Sequence, residues 1–153
     1  MKNLFSFFFL FSFLSNTYAQ SIQEKYWIYR ARAVSDYFRL GEGPGACVAA
    51  ISRSLGGKRI VFSDATIDTG WYMGVLATEL ALLKQNKKDT QYVLGEIACV
   101  LKAMNRLGLA HSGYFIRDDV TLVDAKRFPG VDEVWSDFLH QNSWAKEMSQ
   151  DQV

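Results

Sequence analysis

The stretch Gly113 to Val120, GYFIRDDV, sets Arg117 ahead of two adjacent carboxylates, Asp118 and Asp119, at the end of an aromatic and apolar run. A second acidic group stands at Asp64 and Asp68, one turn apart on a helical reading, with Trp71 and Tyr72 one turn beyond Asp68. Carboxylates beside a guanidinium can move protons or hold hydroxyl groups, and aromatic rings offer a flat apolar surface to a ligand. A plainer role stands beside each. Arg117 and one aspartate of the pair can form an ion pair while the other turns the loop. Asp64 can cap the helix that starts near Ala65, and Asp68 lies where a helix N-terminus favours a carboxylate. Trp71 falls on the apolar period and is assigned to the core, which leaves Tyr72 as the candidate platform.

Other chemistries lack their residues. No Ser-His-Asp or Cys-His set assembles from the spacing, and His111 and His140 have no acidic or cysteine partner at ligand spacing, so the sequence asks for no metal. Gly41, Gly43 and Gly45 alternate without the dinucleotide fingerprint, and Gly56-Gly57-Lys58 lacks the hydroxyl of a phosphate loop. No cofactor is expected. The formal net charge of +1 gives no basic face for nucleic acid.

The first nineteen residues read as a secretory signal peptide: Lys2, an apolar run from Leu4 to Leu14, and Thr17-Tyr18-Ala19 before a cut ahead of Gln20. The run is too short to remain as a membrane span, so the chain is expected to be exported, periplasmic or secreted, with a single domain over residues 20–153. In an oxidising compartment Cys47 and Cys99 can form one disulfide, and Cys99 fits equally as a small buried hydrophobe.

These residues need elements to position them. Ser21 to Leu40 reads as an amphipathic helix with Ile22, Tyr26, Tyr29, Ala33 and Tyr37 toward a core. Residues 46–62 read as an irregular or β-hairpin segment with Gly56-Gly57 as its turn. Two long helices follow, the first with Ile67, Trp71, Val75, Leu76, Leu80 and Leu83 on its apolar face, the second with Val93, Leu94, Ile97, Val100, Leu101, Met104 and Leu107. The linker Gln85 to Asp89 is short enough to force an antiparallel hairpin, Asp89 or Thr90 can cap the second helix, and Gly108 can end it. Each apolar face is wider than one partner covers, so the pair expects more helices around it. Past Pro129-Gly130, the spacing of Val131, Val134, Trp135, Phe138 and Leu139 predicts one short helix capped near Asp132.

Taken together, DATIDTGWYMGVLATE at Asp64–Glu79, GYFIRDDV at Gly113–Val120 and SQDQ at Ser149–Gln152 make residues 35–153 resemble the N-terminal part of a group of exported bacterial helical-hairpin proteins. That group is similar to the (α/α) toroids of six-hairpin glycosidases. The resemblance implies a mainly all-α fold of antiparallel hairpins, an incomplete toroid whose C-terminal hairpins are missing, with SQDQ opening the next helix. It implies a carbohydrate partner, with Asp118, Asp119 and Asp68 as catalytic candidates and Arg117, Tyr72 and Asp64 as ligand-binding ones. Glycoside hydrolysis needs two carboxyl groups about 5 to 9.5 Å apart. Neighbours on an extended segment face opposite ways, so only one of Asp118 and Asp119 can face a cleft, and its partner would be Asp68, Asp151 or a residue beyond Val153. The expectation is the N-terminal part of a carbohydrate-active toroid. A non-catalytic glycan-binding or surface-polymer module, and a truncated chain without activity of its own, are the alternatives.

Overall fold

The computed structural model describes residues 21–109, 115–125, 127–137 and 139. The expected signal peptide, His111, Gly113, Tyr114, Phe138, His140 and the segment Ser149–Gln152 lie outside the described residues. The chain divides into two units, residues 1–30 and 31–153. It is mainly helical, with a small three-stranded sheet. Among the described residues no helix is long and apolar enough to cross a membrane.

Helix α1, Ile22–Arg32, opens with a reciprocal cap. The Glu24 amide donates to Ser21 Oγ (3.1 Å) and the Ser21 amide to Glu24 Oε2 (2.8 Å), satisfying two donors that a helix start leaves unpaired. The helix is shorter than its apolar period suggested. It passes into a π-helical turn at Ala33–Tyr37, and Phe38 is extended and bridges to Ala49. Ile22, Tyr26 and Tyr29 are exposed rather than core, whereas Phe38 is fully buried.

In the second unit, β1 (Ser52–Ser54) and β2 (Arg59–Val61) form the expected antiparallel hairpin. Its turn places Gly56 and Gly57 at φ 65° and 91°, a backbone region that side chains disfavour. A third strand, β3 (Glu133–Trp135), lies parallel to β2 with Val134 opposite Ile60. This corrects the short helix expected there. A few apolar residues after a Pro-Gly turn carry too little periodicity to separate helix from strand, and a sheet edge at β2 supplies backbone partners that a sequence pattern cannot register.

Helices α2 (Ala65–Gln85) and α3 (Gln91–Leu109) form the predicted hairpin. The Asp89 carboxylate accepts from the Gln91 amide at 2.9 Å in a turn that leads into the helix, the Thr90 carbonyl accepts the first helical bond from Leu94, and α3 continues through Gly108 to Leu109. A last short helix, α4, spans Leu122–Ala125. The core gathers Phe38, Val48, Ile60, Phe62, Leu76, Val93, Val100, Leu107 and Val120.

The inward faces of the hairpin differ from the apolar period. On α2 the buried residues are Ala65, Thr69, Tyr72, Leu76 and Glu79, and on α3 they are Val93, Glu96, Val100, Ala103 and Leu107. Tyr72 donates to Glu96 at 2.6 Å, and Tyr92 donates to Glu79 one level away, so two tyrosine–glutamate bonds cross the antiparallel seam. Ile67, Trp71, Val75 and Leu82 turn outward instead, as do Leu94 and Leu101. Every exposed residue of α2 between Ile67 and Leu82 is uncharged.

A disulfide joins Cys47 to Cys99, with Cα atoms 5.6 Å apart across a separation of 52 residues. It pins the loop before β1 to the middle of α3. Closing a loop of that length removes conformational freedom from the unfolded chain worth about 4 kcal/mol. Replacing both cysteines by alanine should lower the unfolding free energy by about that amount, and urea denaturation of wild type with and without reductant should reproduce the difference.

Candidate functional site

Residues Phe115 to Val120 reach the site outside any helix or strand. From Phe115 to Thr121 burial alternates strictly, with Ile116, Asp118 and Val120 inside and the residues between them partly exposed. Period-two alternation is what a strand-like backbone imposes, so Asp118 and Asp119 point opposite ways as expected.

Asp118 is completely enclosed. Its Oδ1 accepts from Ser136 Oγ (2.5 Å) and from the Val120 amide two residues on (3.0 Å), and its Oδ2 accepts from the Asp137 amide (2.9 Å). A carboxylate sealed among these donors ties the end of β3 to the segment and turns its own loop. Asp119 faces the hairpin. Arg106 of α3 grips it through Nε (2.5 Å to Oδ2) and Nη2 (3.1 Å to Oδ1), while the Gly45 amide donates to Oδ1 at 2.9 Å. The same Arg106 Nη2 donates to the Ala46 carbonyl at 2.9 Å. One of the two aspartates therefore turns the loop, and the other is ion-paired, but to Arg106 rather than Arg117.

Arg117 goes to the mouth of α2. Its Nη1 lies 3.3 Å from Asp64 Oδ1 and 3.4 Å from Asp137 Oδ2. Asp137 Oδ2 also accepts the Asp64 amide at 3.2 Å. Asp64 occupies the position before α2 with left-handed backbone, φ 51°, and its side chain makes no capping bond. The expected cap is thus replaced by the pair with Arg117, a stronger partner than a backbone amide because it is charged. Asp68 stands one turn on. Partial burial, and then the negative charge of Asp64, raise its carboxyl above the ordinary carboxylate range.

The structure therefore brings together Asp64, Asp68 and Arg117 of the six candidate residues, and adds Asp137, which sequence reasoning missed. Nothing in the spacing links residue 137 to residue 64; the contact exists because β3 runs parallel to β2 and delivers Asp137 beside the start of α2. The aromatic assignment is reversed. Tyr72 is buried, packed on Phe38 at 4.5 Å between ring centroids, with its hydroxyl on Glu96. Trp71 is 75 % exposed and lies three residues after Asp68 on the same side of α2. A tyrosine can enter a polar seam because its hydroxyl finds an acceptor there, a distinction hydrophobic counting does not make. Among the described residues no group of three or more His, Cys, Asp or Glu side chains is placed to hold a metal ion.

Comparison with protein-family models, with curated proteins and with solved structures found no match to this chain.

Removing the enclosed carboxylate in Asp118→Ala should cost about 3 kcal/mol, because it strands buried donors; urea unfolding reads the loss directly. Asp68 has the opposite sense. Its raised folded pKa means that its stabilising contribution is complete only below the unfolded value of about 3.9 and is lost as pH rises through the folded value. Asp68→Asn should then be more stable than wild type near neutral pH, with the gap closing on acidification, as followed by urea unfolding across a pH series.

Proposed function

We propose that this chain is an exported glycan-binding unit of a carbohydrate-active, toroid-like helical-hairpin protein, and that its own role is binding rather than cleavage. The observation that carries the reading is the mouth of α2, where Asp68, with its raised carboxyl, stands one turn before the exposed Trp71 and beside the Asp64–Arg117 pair. A pyranose presents an apolar ring face to an indole and hydroxyl groups to carboxylates and a guanidinium, and this mouth offers all three.

Hydrolysis would require a second carboxyl across the scissile bond. Asp118 is enclosed, and Asp119 is held bidentate by Arg106, so neither stands ready for that part. Binding needs only acceptors and a platform. The uncharged outer face of α2 supports the larger architecture: an apolar helix surface several turns long is normally covered by another element, and further hairpins of a toroid would cover it. Export follows from the signal-peptide pattern at Met1 to Ala19.

An oligosaccharide array probed with the exported chain tests this. Trp71→Ala and Asp68→Asn should each weaken retention of the preferred oligosaccharide by about tenfold, the loss expected from removing roughly 1.4 kcal/mol of contact. Unchanged retention in both variants, or no retention by wild type, would remove the mouth of α2 from consideration.

A further inference from the structure

A concavity lies on the other helix of the hairpin. It is a cleft of roughly 430 Å³ between the loop at Gly41 and Glu42 and the α3 face that carries Tyr92, Gly95, Glu96 and Lys102. Its walls are fixed by bonds that do not involve a ligand. Tyr92 is half-exposed, and its hydroxyl donates to Glu79, which sets the angle of the ring. Glu96 is almost fully buried, with Oε2 held by Tyr72 at 2.6 Å. Cys99 lines the cleft, and its disulfide to Cys47 anchors α3 to the loop side.

The floor is open for a specific reason. A Cβ built on Gly95 would meet nothing within 4 Å, so the helix presents bare backbone between Tyr92 and Glu96. Across the rim, Lys102 Nζ lies 3.6 Å from Glu42 Oε1, both side chains largely in water, where such a pair is weak and yields to an incoming polar group.

We infer that this cleft is a second saccharide subsite, which takes a neutral pyranose or a short neutral oligosaccharide. The inference rests on the glycan-binding reading and adds a site to it. The apolar face of the sugar ring lies against Tyr92 and the bare backbone of Gly95, and its hydroxyls are shared among Glu96, Glu42 and Lys102. Neutrality follows from the charges: two carboxylates against one ammonium repel uronates, phosphates and sulfated sugars. The size suits one or two rings, since pockets of about 300 to 1,000 Å³ enclose ligands of that order.

The test is an amide chemical-shift titration of the exported chain with neutral aldohexoses, their 1,4-linked disaccharides, and glucuronate as the charged control. Expected are shifts centred on Tyr92 and Gly95 with the neutral sugars and much weaker ones with glucuronate, retained in Trp71→Ala. Gly95→Leu should weaken binding at least tenfold by filling the floor, with Tm unchanged or raised because leucine is the better helix former. Glu96→Gln, which keeps an acceptor for Tyr72, should weaken it several-fold. If Gly95→Leu binds like wild type while Trp71→Ala loses the sugar, the cleft is overturned and the mouth of α2 stands. Glucuronate binding as tightly as the neutral sugars overturns the charge argument. No shift with any sugar overturns both sites.

Discussion

Much of this unit depends on one extended segment, Ile116 to Val120, whose alternate side chains bind in opposite directions. On one side Asp119 and Arg106 form a bidentate pair, and Arg106 extends the network to the Ala46 carbonyl while Gly45 donates to Asp119. On the other side Asp118 gathers Ser136 and the Asp137 amide. Helix α3, the loop before β1 and the end of β3 are thereby held to one stretch of chain that has no strand partner among the described residues. Partly buried charges are tolerable there because each is met by several hydrogen bonds, which offset the cost of leaving water. Arg117, immediately ahead of the two aspartates in sequence, pairs with Asp64 and Asp137.

Local physics made a good part of this legible in the sequence. Two helices with long apolar periods, a linker too short for anything but a hairpin, a glycine pair at a strand turn and an aspartate ahead of α3 all appear where propensity puts them. The opposite facing of Asp118 and Asp119 followed from period-two geometry alone. Long-range pairing was not legible. Arg106 meets Asp119, Arg117 meets Asp64, and Cys47 meets Cys99 because of how the elements pack, and residue type leaves several partners open for each. The strand β3 escaped for the related reason that three residues gain their conformation from a neighbour 74 positions earlier in the chain.

The exchange of Trp71 and Tyr72 points to the organisation of the hairpin. Apolar periodicity assumes that the inward face is the most hydrophobic one, whereas here the seam between α2 and α3 contains two glutamates and two tyrosine hydroxyls. Such bonds contribute less net stability than well-packed hydrocarbon, because their groups must first leave water. Their geometry is demanding, however, and two of them at successive levels define how far one helix is displaced along the other.

Helix α2 then has a polar, register-setting side toward α3 and an uncharged side, with Trp71 and Val75, toward solvent. Water disfavours that outer side as much as any core surface of equal area, since the hydrophobic term counts exposed apolar area irrespective of where it lies in the fold. A helix with partners chosen for register on one face and for burial on the other is suited to stand between two neighbours. Its N-terminal end, with Asp64, Asp68 and the Arg117 pair, would then open at the mouth of a helical ring. On that proposed geometry the acids remain reachable by a ligand while the apolar face is covered. The uncharged surface of α2 and its charged mouth thus become complementary consequences of a single placement.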